Sequence, residues 1–208
     1  MRKRSRGLMS VERQRNNEDR VNEGFVRIQM GIHEMKSQLF YPAPLGVPVP
    51  VRPSRGSQEL FQSLQTALKI GFGNLKNHDL LRAGAFWLYG FLEESHEIAQ
   101  GIHSPEGSYW HALMHRSEGD FSNSMYWYSK VGSHRIFPAL RNEVEKLSSS
   151  GEKSQQLLKT LLSDSEWNPR RLVDLCEQAS IGAFTEASVL QQVTALEYNL
   201  LMEHVLEK

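Results

Sequence analysis

His111 and His115 stand four residues apart in the segment YWHALMHR. On an α-helix that spacing puts both rings on one face, with Cβ atoms about 6 Å apart. Two imidazoles so placed can share one metal ion at about 2.0–2.1 Å per bond. Glu118, three residues after His115, falls on the same face. It lies roughly 10 Å along the helix axis from His111. One ion can therefore be held by His111 with His115, or by His115 with Glu118, but hardly by all three, and a third ligand has to come from another element. Glu93 and His96, three residues apart, have the spacing by which helix bundles present a carboxylate and an imidazole to a metal. The predicted metal set is His96, His111 and His115, with Glu118 or Glu93 as base or fourth ligand, and the ion a divalent metal such as Zn or Fe.

A structural role for the same residues stands beside this reading. Histidines on helix flanks often cap a backbone or hydrogen-bond a carboxylate, and Arg116 with Asp120 forms an i,i+4 pair suited to a surface charge network. The metalloprotease signature HExxH is absent, because Ala112 stands where the carboxylate would be. Directly after the histidines, FSNSMYWY (121–128) places four aromatics in eight residues, either as core or as the lining of a small-molecule pocket. The residues assigned to ligand binding are Arg116, Asp120, Asn123, Tyr126 and Trp127. His134 reads as a loop residue, and the single cysteine, Cys176, as a buried, inert thiol among apolar neighbours.

These side chains need elements to hold them. Ser57 caps a helix over 58–70, a long helix runs from Asn77 or Asp79 to about 102, and 104–107 (SPEG) forms a turn that folds the next helix back so that His96 faces His111 or His115. Ser108 caps that next helix, to 118. His111 then falls in its first turn, where the positive helix end favours a neutral ring. Further helices follow over 120–132, 138–147, 153–162, 169–179 and 185–206. Period-two β-branched runs and hairpin dipeptides are missing, so the expected fold is all-α, a multi-helix bundle.

Composition divides the chain of 208 residues at position 56. Up to there it holds eleven Lys+Arg against five Asp+Glu, and the remainder holds 13 against 19. Residues 1–56 read as a basic, largely disordered region. It contains one amphipathic helical stretch at 21–39 and a polyproline-like linker at 41–53 that has five prolines. Residues 57–208 form the helical domain. The net charge of zero argues against a nucleic-acid coat, and the short basic tail (Arg2, Lys3, Arg4, Arg6) offers only salt-sensitive, non-specific attraction. The longest near-apolar run, 83–92, is ten residues and too short to span a bilayer, and no apolar core follows the N-terminal charges. One cysteine excludes a disulfide framework and points to a reducing, cytoplasmic setting.

The segments LEESHEIAQ (92–100) and GSYWHALMHRSEGDFSNSMYWYSKVG (107–132), with His134 and Phe137 beyond them, resemble a family of uncharacterised, mainly bacterial and fungal proteins. The resemblance runs from Trp87 to Phe137. It implies that His96, His111, His115, Arg116, Glu118, Asp120, Asn123, Tyr126 and Trp127 act as one unit, and it implies no particular activity. The expected function is therefore a small all-α protein with a His-lined polar pocket able to bind metal. The alternative is an interaction or scaffold protein that forms a homo-oligomer through 185–206, where Val189, Val193, Leu196 and Leu200 recur at helical spacing.

Overall fold

A computed structural model of the chain describes residues 39, 55–148, 151–182 and 188–208. The expected disorder, helix and linker of the first 54 residues lie outside the described residues, apart from Leu39. The described residues are helical, with no strand among them. The helices are α1 (Gln58–Phe72), α2 (His78–Leu88), α3 (Leu92–Gln100), α4 (Pro105–Glu118), α5 (Phe121–Val131), α6 (Phe137–Glu145), α7 (Glu152–Leu161), α8 (Pro169–Ser180) and α9 (Ser188–Leu206). None is long and apolar enough to cross a membrane.

Two expected boundaries move, and both moves bear on the histidines. The single helix expected over 77–102 is two helices. Gly90 sits at φ 76°, and the Phe91 amide donates to the Phe86 carbonyl at 2.8 Å while the Gly90 amide donates to Trp87. This is the paired bond pattern of a left-handed glycine that ends a helix, where any side chain would be strained. His96 is thus carried by the short helix α3 and not by an extension of α2. The 104–107 segment is not a turn. Ser104 is the N-cap of α4, its hydroxyl accepting from the Gly107 amide at 3.2 Å, and Pro105 opens the helix. His111 therefore lies in the second turn, past the reach of the helix-end field, and some other influence must keep its ring neutral.

Helix α4 is the axis of the bundle. It packs against α2, α3 and α5, and eleven of its fourteen residues are buried, so it behaves as a core helix and not as a surface helix with one apolar stripe. Close helix approach is sealed by hydroxyls that satisfy carbonyls across the interfaces: Ser95 Oγ donates to Ala83 O and Ser124 Oγ to Ala112 O, both at 2.8 Å. Trp87 stacks on Tyr198 of α9 with centroids 5.2 Å apart, and Trp110 tilts against the same ring at 5.4 Å. Upstream, the Tyr198 hydroxyl donates to the Leu39 carbonyl at 3.0 Å, and Leu39 is buried, so the helical unit gathers in a residue from before the proline-rich segment.

The rotation of α4 is fixed by a buried ion pair. Arg116 Nη2 meets Glu197 Oε2 of α9 at 2.5 Å, and both side chains are at most 1% exposed. The second guanidinium nitrogen donates to Tyr128 Oη at 2.9 Å. Tyr128 Oη and Tyr109 Oη in turn donate to Glu197 Oε1 at 2.8 and 3.0 Å. Four side chains from α4, α5 and α9 thereby satisfy one another in the dry core. Cys176, buried as expected, lies within the field of this pair, and burial pushes its thiol up to about 11. In α9, Val189 and Val193 of the anticipated self-association seam are buried within the chain, while Leu196 and Leu200 are half-buried.

Removing one member of this pair strands the other in a medium that cannot solvate it. Glu197→Ala is expected to cost about 3–5 kcal/mol in urea unfolding, whereas the apolar double variant Arg116→Met/Glu197→Leu recovers most of that loss. Equal losses in the single and double variants would contradict the account.

Candidate functional site

Helices α3 and α4 bring His96, His111 and His115 together as predicted. One ring nitrogen from each lies within 4.8 Å of the others. His96 meets His111 edge-on at 4.5 Å between centroids and His115 at 5.3 Å. His111 and His115 lie nearly parallel, 12° apart, at 4.9 Å. Trp127 of α5 closes the other side, stacked on His111 at 3.9 Å.

His111 is 3% exposed, and neither of its ring nitrogens has a hydrogen-bond partner. A buried polar atom left unpaired costs about 1–3 kcal/mol, so this ring is held in place against its own hydration. Its pKa falls to about 4, chiefly through burial, with repulsion from His96 and His115 adding to it. The ring is thus neutral at pH 7. The sequence reading has the right protonation state but the wrong cause, which is desolvation and not the helix N-terminus. His115 is lowered as well, by burial first, with Asp120 opposing.

Asp120 has a defined place. As N-cap of α5 it accepts from the Asn123 amide at 3.2 Å, from Asn123 Nδ2 at 2.6 Å and from Ser122 Oγ at 3.1 Å. Its Oδ2 faces His115 Nδ1 at 3.7 Å. A carboxylate on that side of the ring favours the tautomer with the proton on Nδ1 and leaves Nε2 as the electron-pair donor.

The remaining predicted residues divide. Glu93 and Glu118 are exposed and outside the histidine group. Glu93 lies in the first turn of α3, where a carboxylate complements the helix dipole from solvent, and Glu118 ends α4 facing water. Neither supplies a fourth ligand here. Arg116 does not pair with Asp120. It turns inward to Glu197 and Tyr128, where a buried carboxylate needs a positive partner. Asn123 is exposed and holds Asp120. Tyr126 is 51% exposed, with its ring edge-on to Trp127 and under Lys130. The aromatic run therefore splits by helical periodicity, Phe121 and Tyr128 going to the core and Tyr126 and Trp127 to the rim of the histidine group.

A second group escaped the sequence reading. Glu106, His134 and His204 are all buried, and they too present ligand atoms within 4.8 Å of one another. Glu106 was hidden by reading 104–107 as a turn, and His134 and His204 are 70 positions apart, so no spacing rule links them. Two clefts surround Trp167, of about 380 and 340 Å³, and the second is lined partly by His134. No family model, no curated protein and no solved structure matches the chain.

The depressed His111 pKa has a signed consequence for metal-free protein. The unfolded chain takes up this proton near pH 6.5 and the folded chain only near 4. The stabilisation from a neutral His111 is therefore complete above pH 6.5 and is lost as pH falls toward 4, by about 3 kcal/mol. His111→Asn should show a smaller loss of urea stability between pH 7 and 4.5 than the parent chain. An identical loss in both would contradict the burial of this ring.

Proposed function

We propose that the protein binds a divalent transition-metal ion, Zn or Fe, through His96, His111 and His115. The observation that carries this reading is the buried His111 ring, flanked by two further imidazoles, with both nitrogens unpartnered. Neutral imidazole is the form that ligates, and an all-nitrogen donor set suits zinc and iron. In a tetrahedral site the donor nitrogens are about 3.3 Å apart. Small side-chain rotations bring the three rings to that separation, since they already converge from two helices.

Three protein ligands leave a coordination position for water or a small molecule, which is the pattern of reactive zinc sites and not of closed structural ones. When bound, the ion would supply Lewis acidity and a water of lowered pKa. The chain's own residues would hold that chemistry in place. Asp120, anchored by Asn123, orients His115. Trp127 packs flat on His111 and shields one face of the site from water. Asp120, Asn123 and Trp127 form the rim past which a small-molecule ligand would enter, and the exposed Tyr126 extends it. The segment whose signature suggested one unit, 107–132, supplies two of the three ligands and this whole rim.

The test is metal binding by chelator-stripped protein, followed by equilibrium dialysis against Zn²⁺ or Co²⁺. The parent chain is expected to bind one equivalent more than His111→Ala/His115→Ala, with helicity by circular dichroism unchanged. Asp120→Ala should weaken that equivalent by about 10–100-fold without removing it. Equal metal content in parent and double variant would overturn the reading.

A further inference from the structure

We propose that Glu106, His134 and His204 form a second, independent divalent-metal site, and that Lys208 holds the cation's place in the metal-free protein. The three side chains are 5%, 6% and 9% exposed. They come from three different elements: the first turn of α4, the connection between α5 and α6, and the last turn of α9. Glu106 Oε1 lies 3.1 Å from His204 Nε2 and 3.8 Å from His134 Nε2, and the two imidazoles meet edge-on at 5.1 Å. Two histidines and one carboxylate are a donor set that zinc and non-haem iron both accept.

Two observations point to a cation. First, His134 Nε2 is buried, faces the carboxylate, and has no hydrogen-bond partner. Second, a cation is already drawn in, for the Lys208 ammonium donates to Glu106 Oε1 from a side chain that is 41% exposed. A buried carboxylate needs a positive partner. A monovalent ammonium meets that need through hydrogen bonds to the oxygen alone and leaves His134 unsatisfied. A divalent ion would engage the carboxylate and both rings, and it would release Lys208 to water at little cost because the lysine is already half in solvent.

Exchange requires His134 and His204 to offer Nε2 as an electron pair. His134 Nδ1 now accepts from the Ile136 amide at a long 3.4 Å. Moving the ring proton from Nε2 to Nδ1 forfeits this weak bond, and ligation of the ion by the carboxylate and both rings replaces it. Entry is available through the 340 Å³ cleft that His134 lines together with Arg141, Asn142 and Trp167. Loaded with metal, the site ties the first turn of α4, the last turn of α9 and the α5–α6 connection together.

The experiment uses the full chain, stripped of metal and titrated with Zn²⁺ or Co²⁺ alone. The His111→Ala/His115→Ala chain, which lacks the first site, is expected to retain one equivalent. That equivalent should disappear in a further Glu106→Gln substitution, with circular dichroism confirming the fold. Lys208→Met should tighten it by about tenfold or more, because the built-in competitor is gone. No retained equivalent even with Lys208→Met, or a retained equivalent indifferent to both Glu106→Gln and Lys208→Met, would overturn the proposal. Neither result bears on the His96–His111–His115 site, which is read from the difference between the parent chain and the His111→Ala/His115→Ala chain.

Discussion

The bundle depends on the ion pair between Arg116 and Glu197. A guanidinium and a carboxylate that are at most 1% exposed tolerate no sliding of α4 against α9, because any displacement leaves a charge in the apolar interior. Two tyrosine hydroxyls complete the set and bind α5 to the same point. With Arg116 turned toward α9, residues 115 and 111 are rotated by about 100° and 140° away from it on α4. That rotation carries both imidazoles toward α3 and α5, where His96 and Trp127 wait. The histidine group is therefore a consequence of a charge pair on the other side of the same helix.

The two histidine groups differ in how their polar atoms are satisfied. Around Glu106 an ammonium already neutralises the carboxylate and an imidazole hydrogen-bonds it, and burial lowers His134 to about 4 while hydrogen bonds from Lys208, a backbone amide and His204 outweigh burial and hold Glu106 down to about 2. Around His111 there is no such partner. Three rings crowd together, His111 and His115 lowered by burial, and the capping carboxylate of Asp120 stands 3.7 Å from His115. A fold that keeps such a group dry sustains a standing cost in unpaired nitrogens, and a ligated metal ion removes it. Both groups are anchored on α4, Glu106 in its first turn and His111 and His115 in the turns beyond, so a core helix carries the candidate chemistry on two faces.

Much of this was readable from residue spacing. The i,i+4 pair His111/His115 and the facing His96 converge as the helical periodicity requires, and Ser57 caps the helix assigned to it. The failures are local. Gly90 lies inside an apolar run that reads as continuous helix, and only its left-handed backbone reveals the break. Ser104-Pro105-Glu106-Gly107 has turn composition, yet serine as cap and proline in the first turn are equally a helix start. That ambiguity hid Glu106. The pairing of Arg116 with Glu197 was out of reach because a nearer acid, Asp120, sits at an ideal helical spacing, and sequence spacing cannot rank a partner four residues away against one 81 residues away. Glu93 and Glu118 were drawn into the site by the same short-range logic, whereas the fold leaves both in water.

X-ray absorption at the metal edge of the chain, loaded with one equivalent of zinc in a Glu106→Gln background, examines the central claim at atomic range. The account predicts a first shell that contains three imidazole nitrogens at about 2.0–2.1 Å, with the multiple-scattering pattern of histidine rings, and loss of that pattern on His111→Ala. A first shell of oxygen ligands, or an imidazole signal indifferent to His111, would contradict it.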